Sequence, residues 1–176
     1  MDRVLQFHKI LRRTIKFMNV TKTIIIRPAN ISDAEVIAEI ICDLAEKFIL
    51  SSFDKAAKQI FLESNNAHQI NHNINNGYYY LVAVNSGKII GLIGMKGYNH
   101  LYHLFVLEQY QGMDLSRQLW EKARDYCIEN GNPGLFTVNS STNAVQVYKA
   151  FGFKKSAATQ QKNGITFNPM ILEIHR

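Results

Sequence analysis

The sequence predicts an α/β chain: a mixed central sheet of about six to seven strands flanked by helices. Three observations predict it. Short apolar runs rich in Ile, Val, Leu and Tyr recur, each bounded by Gly, Asn, Ser or Pro. Between them lie segments whose apolar residues repeat at helical period. The two kinds of segment follow in the order β-α-α-β-β-β-α-β-α-β-β, which places helices on the faces of one sheet.

Thr23 to Arg27 is a β-branched run that Pro28 should halt. Ser32-Asp33-Ala34-Glu35 has the spacing of a capping box, in which the serine caps one end amide and the glutamate reaches back. Behind it Ile37, Ile40 or Ile41, Leu44 and Phe48 form one buried helical face. A second helix should cover Lys55 to about Ser64, and "NNAHQINHNINNG" then follows as a polar, asparagine-rich stretch with no assigned element. "YYYLVAV" and "KIIGLIGM" read as a hairpin joined at Asn85-Ser86-Gly87, whose glycine takes positive φ. Leu101 to Leu107 is a third apolar strand. A helix from about Leu115 carries Leu119, Ala123 and Cys127 on one face and stops at Asn130-Gly131. Leu135 to Asn139 is a strand, Ser141-Thr142-Asn143 starts a short helix ending at Gly152, and strands Ser156 to Gln160 and Thr166 to His175 flank Asn163-Gly164.

A chain of 176 residues, 47 % hydrophobic and 19 % charged, is long enough for a substantial core and has an ordinary globular composition. Residues 21–176 read as one domain and residues 1–20 as a basic amphipathic extension, with Phe7, Leu11, Ile15 and Met18 opposite Arg12, Arg13 and Lys16. That extension lacks the apolar run of a signal peptide or membrane span. It could lie on a membrane through residues 1–18, dock on a partner, pack on its own domain, or precede a natural start at Met18. Cys42 and Cys127 fall inside helical patterns, which favours small buried residues over a disulfide and suits a reducing cytoplasm. No His/Cys cluster has metal-ligand spacing, so no metal is expected. The formal net charge of +6 suits an anionic ligand, but no nucleic-acid-binding signature accompanies it, and none is expected as a partner.

Chemistry concentrates at Gln111-Gly112-Met113-Asp114-Leu115-Ser116, where an apolar strand runs through a glycine turn into a helix. Free N–H groups and the helix dipole at such a place attract an anion such as a pyrophosphate. A glycine turn before a helix is also often only a turn, and residue types alone do not separate the two.

The surrounding residues carry a resemblance. "LFVLEQYQGMDLSRQLW" resembles the acetyl-CoA motif of the GNAT superfamily of N-acetyltransferases, and "VNSSTNAVQVYKAFGF" resembles its second motif, with Tyr148, Gly152 and Phe153 at the matching positions. The tail "KNGITFNPMILEI" is similar to the closing strands of a bacterial subgroup. The resemblance covers roughly Ile24 to the C-terminus and implies the GNAT fold, acetyl-CoA as co-substrate and transfer to an amine. It departs from the family at the turn: Asp114 replaces the central glycine and Ser116 a glycine or alanine. A carboxylate beside an anionic ligand repels it by about 1 kcal/mol at an exposed site. Replacing Asp114 by glycine is therefore expected to tighten binding, unless the aspartate caps the helix and turns its carboxylate away.

What the resemblance implies for roles is as follows. Backbone groups of Leu104, Phe105 and Val106 hold the pantetheine arm and polarise the thioester carbonyl; Gln111, Gly112, Met113, Asp114, Leu115, Ser116 and Arg117 surround the pyrophosphate. Tyr148 protonates the leaving thiolate, although it also fits as a core aromatic, and Ser141 contacts the cofactor or only caps the short helix. A cationic amine must lose a proton before attack, and His100, or else His103 or water, is the candidate base. Three positions apart in a strand, the two histidines should point to opposite faces. The acceptor should meet Asp43 to Asn76, where Glu46, Asp54 and Glu63 could pair with a cationic amine. The leading expectation is an acetyl-CoA-dependent N-acetyltransferase of the cytoplasm, acting on a primary amine of a small molecule, peptide or protein, with a homodimer compatible. The alternative is a non-catalytic acyl-CoA-binding module with a degenerate pyrophosphate loop.

Overall fold

The computed structural model describes residues 23–174, so the expectations for residues 1–20 lie outside the described residues. Eight strands join: β1 (Ile25–Pro28), β2 (Tyr78–Asn85), β3 (Lys88–Lys96), β4 (His100–Val106), β5 (Leu135–Ser140), β6 (Lys154–Lys155), β7 (Gln160–Lys162) and β8 (Ile165–Glu173). The helices are α1 (Ala34–Phe48), α2 (Lys55–Ser64), α3 (Ala67–Asn75), α4 (Leu115–Glu129) and α5 (Val145–Ala150). The sheet runs β1-β2-β3-β4-β5-β8-β6, with β7 on β8, and is antiparallel except where β4 meets β5. The count exceeds the expected six to seven because the tail holds two short strands, β6 and β7, ahead of β8.

Alternation along β2 divides the core. Leu81 and Ala83 face α4, where Leu119, Trp120, Ala123 and Cys127 are buried. Tyr80 and Val82 face α1 and α3, against Ile37, Ile41, Leu44 and Ile70. Trp120 stands 5.1 Å edge-on to Phe136 and 5.2 Å from Phe153, so its loss would open a large cavity, costing about 3–5 kcal/mol. Both cysteines are free, and burial pushes the Cys127 thiol up to about 12.

Several local expectations need correction. Strand β1 begins at Ile25, two residues later than read, and ends with Pro28 as its last residue; β1 is the sheet edge, where a missing N–H is tolerated. The helix entry is built two residues before the Ser32/Glu35 box: the Asn30 N–H donates to Asp33 Oδ2 at 2.9 Å, and Asp33 also accepts two bonds from Arg27 at 2.7 and 3.0 Å. The asparagine-rich stretch is helix α3, begun by Asn66, whose side chain accepts from the Gln69 N–H at 2.8 Å, and anchored by buried Ile70. The β2–β3 and β7–β8 hairpins turn through two residues at positive φ, Ser86-Gly87 and Asn163-Gly164, the geometry of a type I′ turn.

Candidate functional site

Strands β4 and β5 pair through only two residues each, His100↔Thr137 and Leu101↔Val138, and then part. Beyond that point no strand among the described residues lies on the β5 side of β4. The Leu107 N–H donates to the Ile90 carbonyl at 2.9 Å, which sets the alternation of the β3–β4 ladder. Phe105 therefore bonds to β3, whereas Leu104 and Val106 turn their N–H and C=O groups toward the gap. Gln111 Nε2 already donates to the Val106 carbonyl there, at 2.9 Å. A cavity of about 830 Å³ fills the opening, within the usual range for ligand pockets. It lies at the carboxyl ends of the two parallel strands, where open α/β sheets hold ligands.

The cavity gathers Leu104, Phe105, Val106, Gln111, Gly112, Leu115, Ser116, Ser141 and Tyr148 along one wall. Gly112 has φ +73°, and a Cβ built on it would meet nothing within 4 Å, so open space lies before this backbone. The N-cap residue Asp114 makes no side-chain cap bond, and among the described residues the first-turn N–H groups of α4 are open to an anion. Met113, Asp114 and Arg117 stand outside the lining. Asp114 neither caps the helix nor faces the cavity: it takes a left-handed conformation (φ +59°), and its Oδ1 accepts from Arg117 Nε at 3.2 Å. Left-handed backbone suits glycine, which is the residue expected there, and aspartate tolerates it. Arg117 in turn donates to the Ala150 carbonyl at 3.2 Å and stacks 5.3 Å over Phe151. The Ser141 side chain makes no cap bond.

Tyr148 projects from α5 into the same cavity and is edge-on to Phe151 and Phe153, 6.2 and 5.9 Å away. It is 7 % exposed, and burial raises its hydroxyl above the ordinary phenol range, keeping the proton on at neutral pH.

The histidines do not part as a regular strand would require. Gly94 faces His103 and Met95 faces Leu101, so Tyr102 is an extra residue in β4, a β-bulge. The bulge brings His100, Tyr102 and His103 to one side, and all three line the cavity. His103 is buried and its Nδ1 lies 2.9 Å from the Tyr80 hydroxyl; burial pushes its pKa down to about 3. His100 is half-buried, with Nδ1 2.8 Å from Thr137 Oγ1. Burial, then the charge of Lys96, lowers its pKa, so it is a neutral imidazole at pH 7.

The far wall comes from Leu44, Phe48, Ile60, Phe61, Lys162 and Thr166. None of Glu46, Asp54 and Glu63 belongs to it: Asp54 caps α2 by accepting from the Ala57 N–H at 2.8 Å, and Glu63 accepts from Gln59 at 2.6 Å. Sequence reasoning missed Phe48, Phe61, Asn139 and Lys162. Phe48 carried a signal, being the last residue of an otherwise buried helical stripe yet 41 % exposed. Asn143 ties α1 across the opening by donating to the Phe48 carbonyl at 2.7 Å, and Lys47 pairs with Glu108 just beyond β4.

No curated protein matches the sequence. Among solved structures, the chain is similar to a GCN5-related N-acetyltransferase from Rhodopseudomonas palustris (22 % identity, 86 % of this chain and 96 % of that one, TM-score 0.71). It is also similar to PaiA N-acetyltransferase from Thermoplasma acidophilum in complex with coenzyme A (17 %, 86 % and 99 %, TM-score 0.70). A third is a GNAT-family acetyltransferase from Staphylococcus aureus (20 %, 86 % and 99 %, TM-score 0.64). At these identities the likeness shows the fold. The family model described as "Acetyltransferase (GNAT) domain" matches residues 49–174, most of the chain. The chain belongs to the GNAT acetyltransferase family.

Proposed function

We propose that the protein is an acetyl-CoA-dependent N-acetyltransferase that passes the acetyl group directly to a primary amine. The observation that carries the reading is the gap between β4 and β5. There the uncapped start of α4, the backbone groups of Leu104 and the Val106 N–H open on one cavity. The coenzyme A held by the similar PaiA structure supports the choice of ligand.

In this reading the first-turn N–H groups of α4 and the Gly112 backbone receive the pyrophosphate, and the β4 edge holds the pantetheine arm. The amine nitrogen attacks the thioester carbon; a C–N bond forms, the C–S bond breaks, and CoA leaves as the thiol. An N–H of the β4 edge stabilises charge developing on the carbonyl oxygen. Tyr148, held protonated, supplies the proton to the departing sulfur. His100, neutral and half-buried, accepts the proton lost by the amine, directly or through one water. The apolar far wall helps in the same direction, because desolvation favours an amine's neutral, attacking form. Holding both reactants in one cavity supplies much of the rate.

The test pairs binding with turnover. Acetyl-CoA at about a hundred times its Kd should stabilise the fold by roughly 2.7 kcal/mol, raising Tm by about 5–10 °C. CoA thiol release should then respond to added amine. A melt unmoved by millimolar acetyl-CoA would overturn the reading; a shift with no amine-stimulated release would leave an acyl-CoA-binding module.

A further inference from the structure

The two ends of the cavity differ in chemistry. One is the polar, uncapped start of α4. The other is walled by Phe48, Ile60, Phe61 and Tyr102, and its rim is closed by the β7–β8 hairpin, which contributes Lys162. That hairpin is seated: a Cβ on Gly164 would fall 2.7 Å from Ala57 Cβ and 3.4 Å from Oδ2 of Asp54, the carboxylate that caps α2 outside the cavity lining, so its tip rests directly on α2. Among the described residues lining the cavity there is no aspartate and no glutamate. Its titratable groups at the acceptor end are His100 and His103, Tyr102 and the exposed Lys162, which pairs with no described carboxylate.

Such a wall selects by charge. A polyamine or aminoglycoside brings several ammonium groups, each of which needs a carboxylate or water to replace its hydration. Here those groups would meet apolar side chains and a like charge. A single amine on an apolar body faces neither penalty, since the reacting amine must shed its charge in any case. An anionic group on the same molecule would meet Lys162 at the wet rim, where pairing is cheap to form and open to exchange.

We propose that the acceptor is a monoamine with an apolar, preferably aromatic, body and a carboxylate. The body packs against Phe48, Phe61 and Tyr102 and the carboxylate faces Lys162. The proposal rests on the acetyltransferase reading above and narrows its substrate class.

The experiment uses the full chain with acetyl-CoA, following thiol release with phenylalanine, 4-(aminomethyl)benzoate, benzylamine, phenethylamine, spermidine and kanamycin. Acetyl-CoA binding is measured separately by titration calorimetry. The carboxylate-bearing aromatic amines should exceed spermidine and kanamycin at least tenfold in kcat/KM. In Lys162→Glu the KM ratio of 4-(aminomethyl)benzoate to benzylamine should rise about tenfold or more, reversing the preference. A polycation as the best acceptor, a ratio unmoved in Lys162→Glu, or no aromatic turnover despite acetyl-CoA binding would each overturn the substrate class. Absence of acetyl-CoA binding would instead overturn the reading beneath it, a distinct outcome.

Discussion

The rings of Tyr102 and His103 stand 4.4 Å apart on one side of β4, although neighbours in a regular strand point to opposite faces. The extra residue of the bulge makes this pairing, and Gly94 on β3 makes it affordable by leaving room for Tyr80. A Cβ at Gly94 would fall 2.5 Å from the Tyr80 ring. Gly94→Ala should therefore push Tyr80 off the His103 nitrogen and cost about 1–3 kcal/mol by overpacking. Urea unfolding checks it, and an unchanged midpoint would show that the sheet relaxes freely there.

His103 also sets an acid limit on the fold. Burial holds it neutral, with a folded pKa of about 3, while in the unfolded chain it titrates near its ordinary value of 6.5. Between those values the unfolded state binds the extra proton. Stability is fully present above pH 6.5 and should fall by roughly 1.4 kcal/mol per pH unit on the way down to 3. His103→Asn keeps a partner for the Tyr80 hydroxyl without a titrating ring. It should flatten the slope of unfolding free energy between pH 6.5 and 4.5, and an unaltered slope would assign the loss to other groups.

Tyr148 is buried and stays protonated, so removal of its hydroxyl should be felt in chemistry and not in cofactor affinity. Tyr148→Phe should lower kcat by about 10²-fold or more while the Kd for acetyl-CoA stays level. Equal turnover in the variant would leave Tyr148 as a wall of the cavity only.

For His100, burial and then Lys96 lower the pKa, so the neutral base persists below pH 6.5. The acid limb of kcat/KM should lie below the ordinary histidine value and vanish in His100→Ala. Lys96→Met removes the nearby positive charge and should move the limb upward in pH. A limb that ignores both changes belongs to another group.

At the turn, the Asp114 carboxylate points to Arg117, 3.2 Å away, and not into the cavity. Asp114→Gly should change acetyl-CoA affinity by less than about threefold, since the opposing charge is already balanced nearby and both are exposed. Gly112→Val, by contrast, forces a branched side chain to φ +73° beside the ligand's path and should weaken binding at least tenfold. Calorimetric titration separates the two, and a tenfold gain in Asp114→Gly would restore repulsion as the dominant effect.

Much of this was legible because it is local. The β2–β3 hairpin announces itself through two apolar runs and a Ser86-Gly87 turn, and α4 through buried Leu119, Ala123 and Cys127 at helical spacing. The bulge was not, because it depends on Gly94 and Tyr80 from other strands, and strand period alone assumes no extra residue. Helix α3 was hidden by asparagines, poor helix formers whose caps and side-chain bonds hold it only once Ile70 finds its neighbours. The apolar acceptor wall was hidden for a third reason: Phe48, Tyr102 and Lys162 are far apart in sequence and meet only through the tertiary fold.

The brevity of the β4–β5 contact has a mechanical consequence. Two residue pairs form a short spine between a leaf made of β1 to β4 and another made of β5 to β8. Across the open side the leaves meet where Asn143 donates to the Phe48 carbonyl and where the tip of the β7–β8 hairpin rests on α2. A molecule lodged in the split would press on both covers at once, and so act as the missing binding of the book. A ligand in that seam should therefore add to the stiffness that the shared core around Trp120 already gives the two leaves.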